Sequence, residues 1–287
     1  MLAVPLALVA AMLYALASVF QQRAAAAEPA ERNLSLGLLG GLVRRPLWLL
    51  GVAADAAGYG FQFAALAIGT LVVVQPLLVL GLLFALPIGA RMAGAKISRR
   101  DLLAAAALCA GLALFLAVAN PAAGQPSTRP QTWAALLAVG CGVALLLALA
   151  GRRQAGPARA VLLSASTGVL YGLASALTKT TGYLLSEGVG STFLHWEPYA
   201  LVVVGLAGML IGQSAFQVGE LEVSLPTMSV LDPVVSVLVG ALAFGEAVTA
   251  TPLALAAELV GLLVGTAGVV VLARAPAVRA TREQRPV

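Results

Sequence analysis

Charged residues, aromatic residues and cysteines are all scarce in this chain of 287 residues. Asp, Glu, Lys and Arg make up 10% of it and Phe, Trp and Tyr 6%, with two cysteines and one histidine. The cysteines stand alone in separate apolar segments, without metal or redox spacing. No HExxH, GxSxG or Walker A sequence is present. We therefore expect neither an enzyme nor a self-contained ATP-driven pump, and no cofactor.

Hydrophobic residues dominate the chain instead, at 61% of the sequence with a mean hydropathy of +0.98. They form runs of about twenty residues, enough to cross a hydrocarbon core of about 30 Å as helices. The first run lacks the basic segment that opens a signal peptide, so we expect it to be retained. The sequence predicts an all-α, polytopic membrane protein with nine transmembrane helices, near 2–22, 46–68, 70–90, 101–119, 132–150, 159–184, 199–218, 223–244 and 252–273.

The basic residues cluster in alternate gaps between these runs. Only Arg129 falls in the other gaps, and Lys179 lies inside a run. This asymmetry is typical of the positive-inside bias and predicts an inner (plasma) membrane protein with its N-terminus outside and its C-terminus in the cytoplasm. The clustered residues are Arg23, Arg32, Arg44 and Arg45; Arg91, Lys96, Arg99 and Arg100; Arg152, Arg153 and Arg159; and Arg274, Arg279, Arg282 and Arg285.

Short sequence matches indicate an internal duplication. Tyr14–Ser18 matches Tyr171–Ser175, and Gln75-Pro76 matches Asp232-Pro233, both at an offset of 157 residues; Phe61-Gln62 matches Phe216-Gln217 at 155. Five crossings separate equivalent helices, so the two halves have opposite orientation. This inverted 4+1+4 arrangement is found in many alternating-access transporters.

The predicted organisation is one transmembrane domain, residues 1–273. It holds repeat 1 (about 1–121), a connector helix (132–150) and repeat 2 (about 158–273), and a basic cytoplasmic tail (274–287) follows. Two apolar segments, 33–43 and 186–197, are too short to span, and we expect interfacial or re-entrant pieces there.

Two aspartates lie near the middle of apolar runs, Asp55 in the second and Asp232 in the eighth. An intramembrane carboxylate usually faces a bundle interior or a water-filled cavity. One reading is that these aspartates bind a cation, including a metal ion, or carry a coupling proton. The other is that both are structural carboxylates satisfied by neighbouring helices. Pro233 favours function at Asp232, because it frees backbone carbonyls.

Polar residues also recur at helical spacing, on one face of each of four runs. Such stripes suit the lining of a central cavity, although interhelical hydrogen bonds between packed helices use the same residue types. Together with Gln75, the candidate binding residues are Tyr14, Ser18, Asp55, Tyr59, Gln62, Tyr171, Ser175, Gln213, Gln217 and Asp232.

Two further charged residues lie within runs. Lys179 stands near the outer end of the sixth run, where it can extend to the interface or contact a solute. Glu258 is a third intramembrane carboxylate or a packed polar group. Gly261 and Gly265 have a spacing that serves homodimers and intramolecular packing equally well.

Residues 47–121 carry a longer pattern. Gln62-Phe-Ala-Ala-Leu-Ala-Ile-Gly-Thr-Leu-Val-Val-Val-Gln-Pro76 is followed by a long apolar helix, a basic turn and an apolar helix that ends at Asn120-Pro121. The pattern resembles the drug/metabolite transporter (DMT, EamA-like) superfamily and is most similar to its NIPA-like magnesium-transporter branch. The resemblance implies nine helices and transport without ATP.

From these observations we expect a secondary transporter that moves a small solute across the inner membrane by alternating access. Mg²⁺ or another divalent cation is the alternative substrate, and a non-transporting membrane scaffold is the alternative of another class. The expected partners are the lipid bilayer and the solute. Nucleic acid is not expected, because the positive charge (+5) lies in loops between apolar runs rather than in a basic soluble domain.

Overall fold

The computed structural model describes residues 2–68, 77–78, 80–92, 94, 99, 102–103, 105–107, 109–111, 128–219 and 221–245. Within these ranges all regular secondary structure is helical, which confirms the all-α prediction for this part of the chain. The helices are α1 (Ala3–Ala26), α2 (Leu36–Leu42), α3 (Pro46–Ile68), α4 (Gly81–Met92), α5 (Pro130–Arg152), α6 (Gly156–Glu187), α7 (Val189–Thr192), α8 (Glu197–Val218) and α9 (Leu221–Phe244), with a 3-10 turn at Ala30–Arg32.

Five of these helices, α1, α5, α6, α8 and α9, are long and apolar enough to cross a membrane. The pair α2 and α3, bent by 96° between them, makes a sixth candidate span. The five long helices and α3 coincide with predicted runs, because about twenty apolar residues satisfy their backbone hydrogen bonds in lipid only as a helix, whereas α2 lies in the segment predicted to be too short to span.

The nine-helix arrangement itself remains a prediction. The run at 70–90 is represented in the described part by the twelve-residue α4, the run at 101–119 only by scattered helical residues, and the run at 252–273 lies outside the described residues, as does the tail. The two short segments contain short helices: α2 lies within 33–43, and α7 lies within 186–197.

Two three-helix sets pack in the same way. In the first set α1 runs antiparallel to α3 and parallel to α4; in the second α6 runs antiparallel to α8 and parallel to α9. Each helix pair meets at glycines, where a side chain would collide with the neighbouring helix, as is common in membrane interiors. The contacts are Gly58 with Tyr14, Gly81 with Ala11, Gly208 with Tyr171, and Gly168 with Leu231.

These contacts change the register of the predicted duplication. Tyr171 follows Tyr14 by 157 positions, as predicted, but Gly208 follows Gly58 by only 150. The contacts of Gly81 with Ala11 and of Leu231 with Gly168 give the same two offsets. The matched Phe61-Gln62 and Phe216-Gln217, at an offset of 155, therefore do not occupy equivalent places, whereas Gln75-Pro76, matched with Asp232-Pro233 at 157, lies outside the described residues. The connection between the first two packed helices is shorter in the second set, and short matches in an Ala- and Leu-rich chain arise by chance.

The described contacts also place the predicted loops at two ends of the bundle. At one end Arg159 reaches Asn33, and the Arg23 guanidinium donates to the backbone oxygen of Met92. At the other end Trp133 packs edge-on against Trp196 and Phe244, with ring centroids 6.0 and 6.1 Å apart. The basic gaps represented in these contacts therefore meet at one end, as the alternating charge pattern predicts.

Candidate functional site

A chain of two amide side chains connects the two helix sets and ends on Asp55. Gln213 on α8 donates from Nε2 to Oε1 of Gln21 on α1, at 2.5 Å. Gln21 in turn donates from Nε2 to Oδ2 of Asp55 on α3, at 3.0 Å. Both glutamine side chains are buried, with 2% and 6% exposed. Since a buried amide is costly to leave unpaired, this chain fixes the position of Asp55 relative to both sets.

Tyr14 forms a second polar contact between α1 and α3. Its hydroxyl donates to Oε1 of Gln62 at 2.5 Å, and its ring packs against Gly58. The Ser18 hydroxyl donates to the Tyr14 backbone oxygen, so it bonds within its own helix. Two predicted stripes, one on each helix, therefore face each other at Tyr14 and Gln62.

The second carboxylate, Asp232, lies where α6 and α9 pack together. Its Oδ1 accepts from Ser236 one turn later at 3.2 Å and from Ser175 on α6 at 3.4 Å. Ser236 was not among the predicted site residues, although it stands four positions after Asp232 on the same helix face. That spacing was the sequence signal that could have found it.

The two carboxylates lie within electrostatic range of the same two tyrosines. The Asp55 and Asp232 carboxylates both act on the Tyr14 hydroxyl, and both act on the Tyr171 hydroxyl as well. Two carboxylates from different helix sets thus share a region with a tyrosine from each set. This arrangement can hold a cation or exchange protons, since it combines two carboxylates with neutral hydroxyl oxygens.

The other predicted residues have different surroundings. Tyr59 is 48% exposed, although it is close enough to Tyr14 for an electrostatic interaction. Gln217 is bound by the loop after α1, donating to the backbone oxygen of Pro29 at 2.6 Å. Gln75 and Glu258, as well as the glycine pair of the ninth run, lie outside the described residues.

Lys179 lies beside the aromatic cluster at one end of the bundle. Its ammonium nitrogen is 4.4 Å from the centroid of the Phe244 ring, a cation–π contact. Phe244 also packs against Trp133. This contact gives Lys179 a structural partner. Lys179 itself lies one helical turn after Ser175, toward the end of the bundle that carries the aromatic cluster.

A buried ion-pair cluster follows α1 at the opposite end. The Glu28 side chain is only 3% exposed and accepts from Arg32 at 2.8 Å and from Arg45 at 2.5 Å. Burial raises the pKa of Glu28, but the hydrogen bonds from Arg45 and Arg32 outweigh it and hold that pKa below its usual value. A depressed pKa means that the pairs stabilise the fold above the unfolded pKa, and that this stabilisation is lost as pH falls through the folded one.

No three or more His, Cys, Asp or Glu side chains lie together as a metal-ligand group in the part of the chain that the structure describes.

Several long apolar helices around a polar centre define a multi-pass membrane protein of the all-helical class. The chain is 32% identical to an uncharacterised protein of Corynebacterium glutamicum over 247 residues, which is 86% of this chain and 86% of the relative. It belongs to the same family as that protein. No protein-family model matches the chain, and no solved structure matches it.

Proposed function

We propose that the protein is a secondary transporter that moves a small solute across the inner membrane without ATP. The observation that carries this proposal is the pair Asp55 and Asp232, which stand on different helix sets and share a region with Tyr14 and Tyr171. Ionisable groups inside a membrane bundle are expensive and mark solute or ion pathways. A binding site between two similar helix sets is the arrangement on which alternating access operates.

The similar packing of the two sets supports an inverted repeat. If the basic loops face the cytoplasm, α1 and α6 start on opposite sides of the membrane, so the sets are inverted. Rocking one set against the other would expose the shared region to each side in turn. The resemblance to the drug/metabolite transporter superfamily points the same way, and its magnesium branch makes Mg²⁺ the second candidate substrate.

Flux through purified protein distinguishes a transporter from a membrane scaffold. Proteoliposomes loaded with a pH-sensitive or Mg²⁺-sensitive dye should report flux when single small metabolites or Mg²⁺ are added outside, and protein-free liposomes should not. Candidate solutes come from a thermal-stabilisation screen, since a ligand that binds only folded protein raises its melting temperature. For a scaffold, no solute in the panel would raise the melting temperature, and none would give flux.

The orientation we propose is N-terminus outside and C-terminus cytoplasmic. The basic gaps meet at one end of the bundle, and basic loops remain on the cytoplasmic side during insertion. Reporter fusions should therefore give cytoplasmic signal after residues 96, 155 and 280 and external signal after residue 125. A cytoplasmic signal at 125 would contradict the nine-helix topology and, with it, the inverted repeat.

A further inference from the structure

The loop after α1 crosses to the other helix set through Asn33, whose side-chain amide is hydrogen-bonded at both its nitrogen and its oxygen. Its Nδ2 donates to Oε1 of Gln217 at 2.7 Å and to the backbone oxygen of Ser214 at 3.0 Å. Its Oδ1 accepts from the Arg159 guanidinium at 2.5 Å. The next backbone amide, that of Leu34, donates to the Ser214 hydroxyl at 3.1 Å. One loop thus binds both α8 and the start of α6.

The loop is also held on its own side. Arg45 pairs with Glu28 and donates from Nη2 to the backbone oxygen of Ala27 at 2.9 Å. Leu34 adopts φ = +55°, in the left-handed region that a leucine rarely enters. Such a conformation persists only where the surrounding contacts impose it. The Asn33 and Leu34 bonds to α8 supply those contacts, so their release would also relieve backbone strain.

The same turn of α8 holds both this loop and the candidate site. Ser214 and Gln217 bind the loop, while Gln213 donates to Gln21, which donates to Asp55. Gln213 and Gln21 are both buried, and they link this turn of α8 to Asp55. On the far side of the site Ser175, the neighbour of Asp232, is exposed.

We propose that this loop is a latch, formed by Asn33 and Leu34 with Arg159, Ser214 and Gln217, that closes the site at the end where the basic gaps meet. The structure shows the latch shut. A change at Asp55 moves Gln21 and Gln213, and the turn that carries Gln213 is the turn that carries Ser214 and Gln217. Opening the latch exposes the site to that side. The role of the latch rests on the proposed transport function, whereas its geometry does not.

The test measures access to the site from each side of the membrane. A parent with Cys109→Ala and Cys141→Ala carries Ser175→Cys as the reporter, and sealed vesicles of each orientation are treated with a membrane-impermeant maleimide. Asn33→Ala removes three hydrogen bonds of the latch, each worth about 0.5–1.5 kcal/mol net. We expect labelling from the latch side to rise at least about tenfold, with no rise from the opposite side.

Two further variants keep the test decisive. Ser35→Ala removes a hydroxyl of the same loop that, among the described residues, donates to the Arg32 backbone oxygen at 2.6 Å, and it should leave labelling at the parent level. Ser214→Ala removes the acceptor of the Leu34 amide and should give a smaller rise than Asn33→Ala. The latch is refuted if Asn33→Ala and Ser214→Ala both label like the parent, or if labelling rises equally from both sides, which indicates general loosening. The labelling experiment needs no solute. If the variants change labelling as expected but the protein gives no flux, the transport function is refuted and the latch is not.

Discussion

Replacing Asp232 by asparagine is expected to reduce transport at least about tenfold while membrane protein levels stay normal. Asparagine keeps the shape of the side chain and an oxygen that accepts from Ser175 and Ser236. The substitution removes the charge, which is the property that a bound cation or a transported proton requires. A tenfold loss corresponds to about 1.4 kcal/mol of coupling free energy. The measurement is initial flux in proteoliposomes, with the metabolite or Mg²⁺ that gives flux in the wild-type protein.

Asp55→Asn is the paired substitution, with a smaller expected loss. An asparagine oxygen can still accept from the Gln21 amide. The smaller loss is expected because Asp55 lacks a neighbouring proline such as Pro233, which frees backbone carbonyls beside Asp232. Ser236→Ala is the matched control near Asp232, because it removes one hydrogen bond and leaves the charge. Normal transport by Asp232→Asn at normal expression would make this carboxylate structural only. The site would then depend on the Gln and Tyr residues alone.

The helices could be predicted from sequence because the signal is local and long. A run of about twenty apolar residues has a single stable form in lipid, and α3 and α8 lie within a few residues of their predicted bounds. The ends were less predictable. α6 extends over 32 residues, from Gly156 to Glu187, because its flanking residues continue the helix beyond the apolar run.

The sequence could predict which residues belong to the candidate site, but not which of them contact each other. Periodicity identified Tyr14, Asp55 and Gln62 as members of inward stripes, but the pairing of Tyr14 with Gln62 depends on how α1 lies against α3. The match of Asp232-Pro233 with Gln75-Pro76 stays a prediction, because Gln75 and Pro76 lie outside the described residues.

The latch had no local signal at all. Asn33 and Gln217 are 184 positions apart, and neither lies in a recognisable motif. Asn33 belongs to a segment that the sequence defined only as too short to span, and Gln217 was assigned to the cavity by its stripe. Contacts of this kind follow from the packing of whole helices, and periodicity within one helix carries no information about them.

Gly172→Ala should destabilise the protein strongly, in contrast to Gly182→Ala ten residues later on the same helix. A Cβ at Gly172 would lie 2.6 Å from the Val235 Cβ and 2.9 Å from the Asp232 backbone oxygen. Neither atom can rotate away, because a Cβ position is fixed by its own backbone and the other atom is backbone. Overpacking of this kind costs about 1–3 kcal/mol. A Cβ at Gly182 meets nothing within 4 Å, and alanine is the better helix former.

The measurement is thermal unfolding of both purified variants beside the wild-type protein. Gly172→Ala should unfold at a clearly lower temperature, and Gly182→Ala at the wild-type temperature or above it. Because the obstacle at Gly172 includes the backbone of Asp232, a variant that does fold must shift that residue, so its flux should fall as well. Equal unfolding temperatures for the two variants would mean that α6 and α9 do not approach as closely as the structure shows. The position assigned to Asp232 in the site would then be wrong, since the α6–α9 contact places it there.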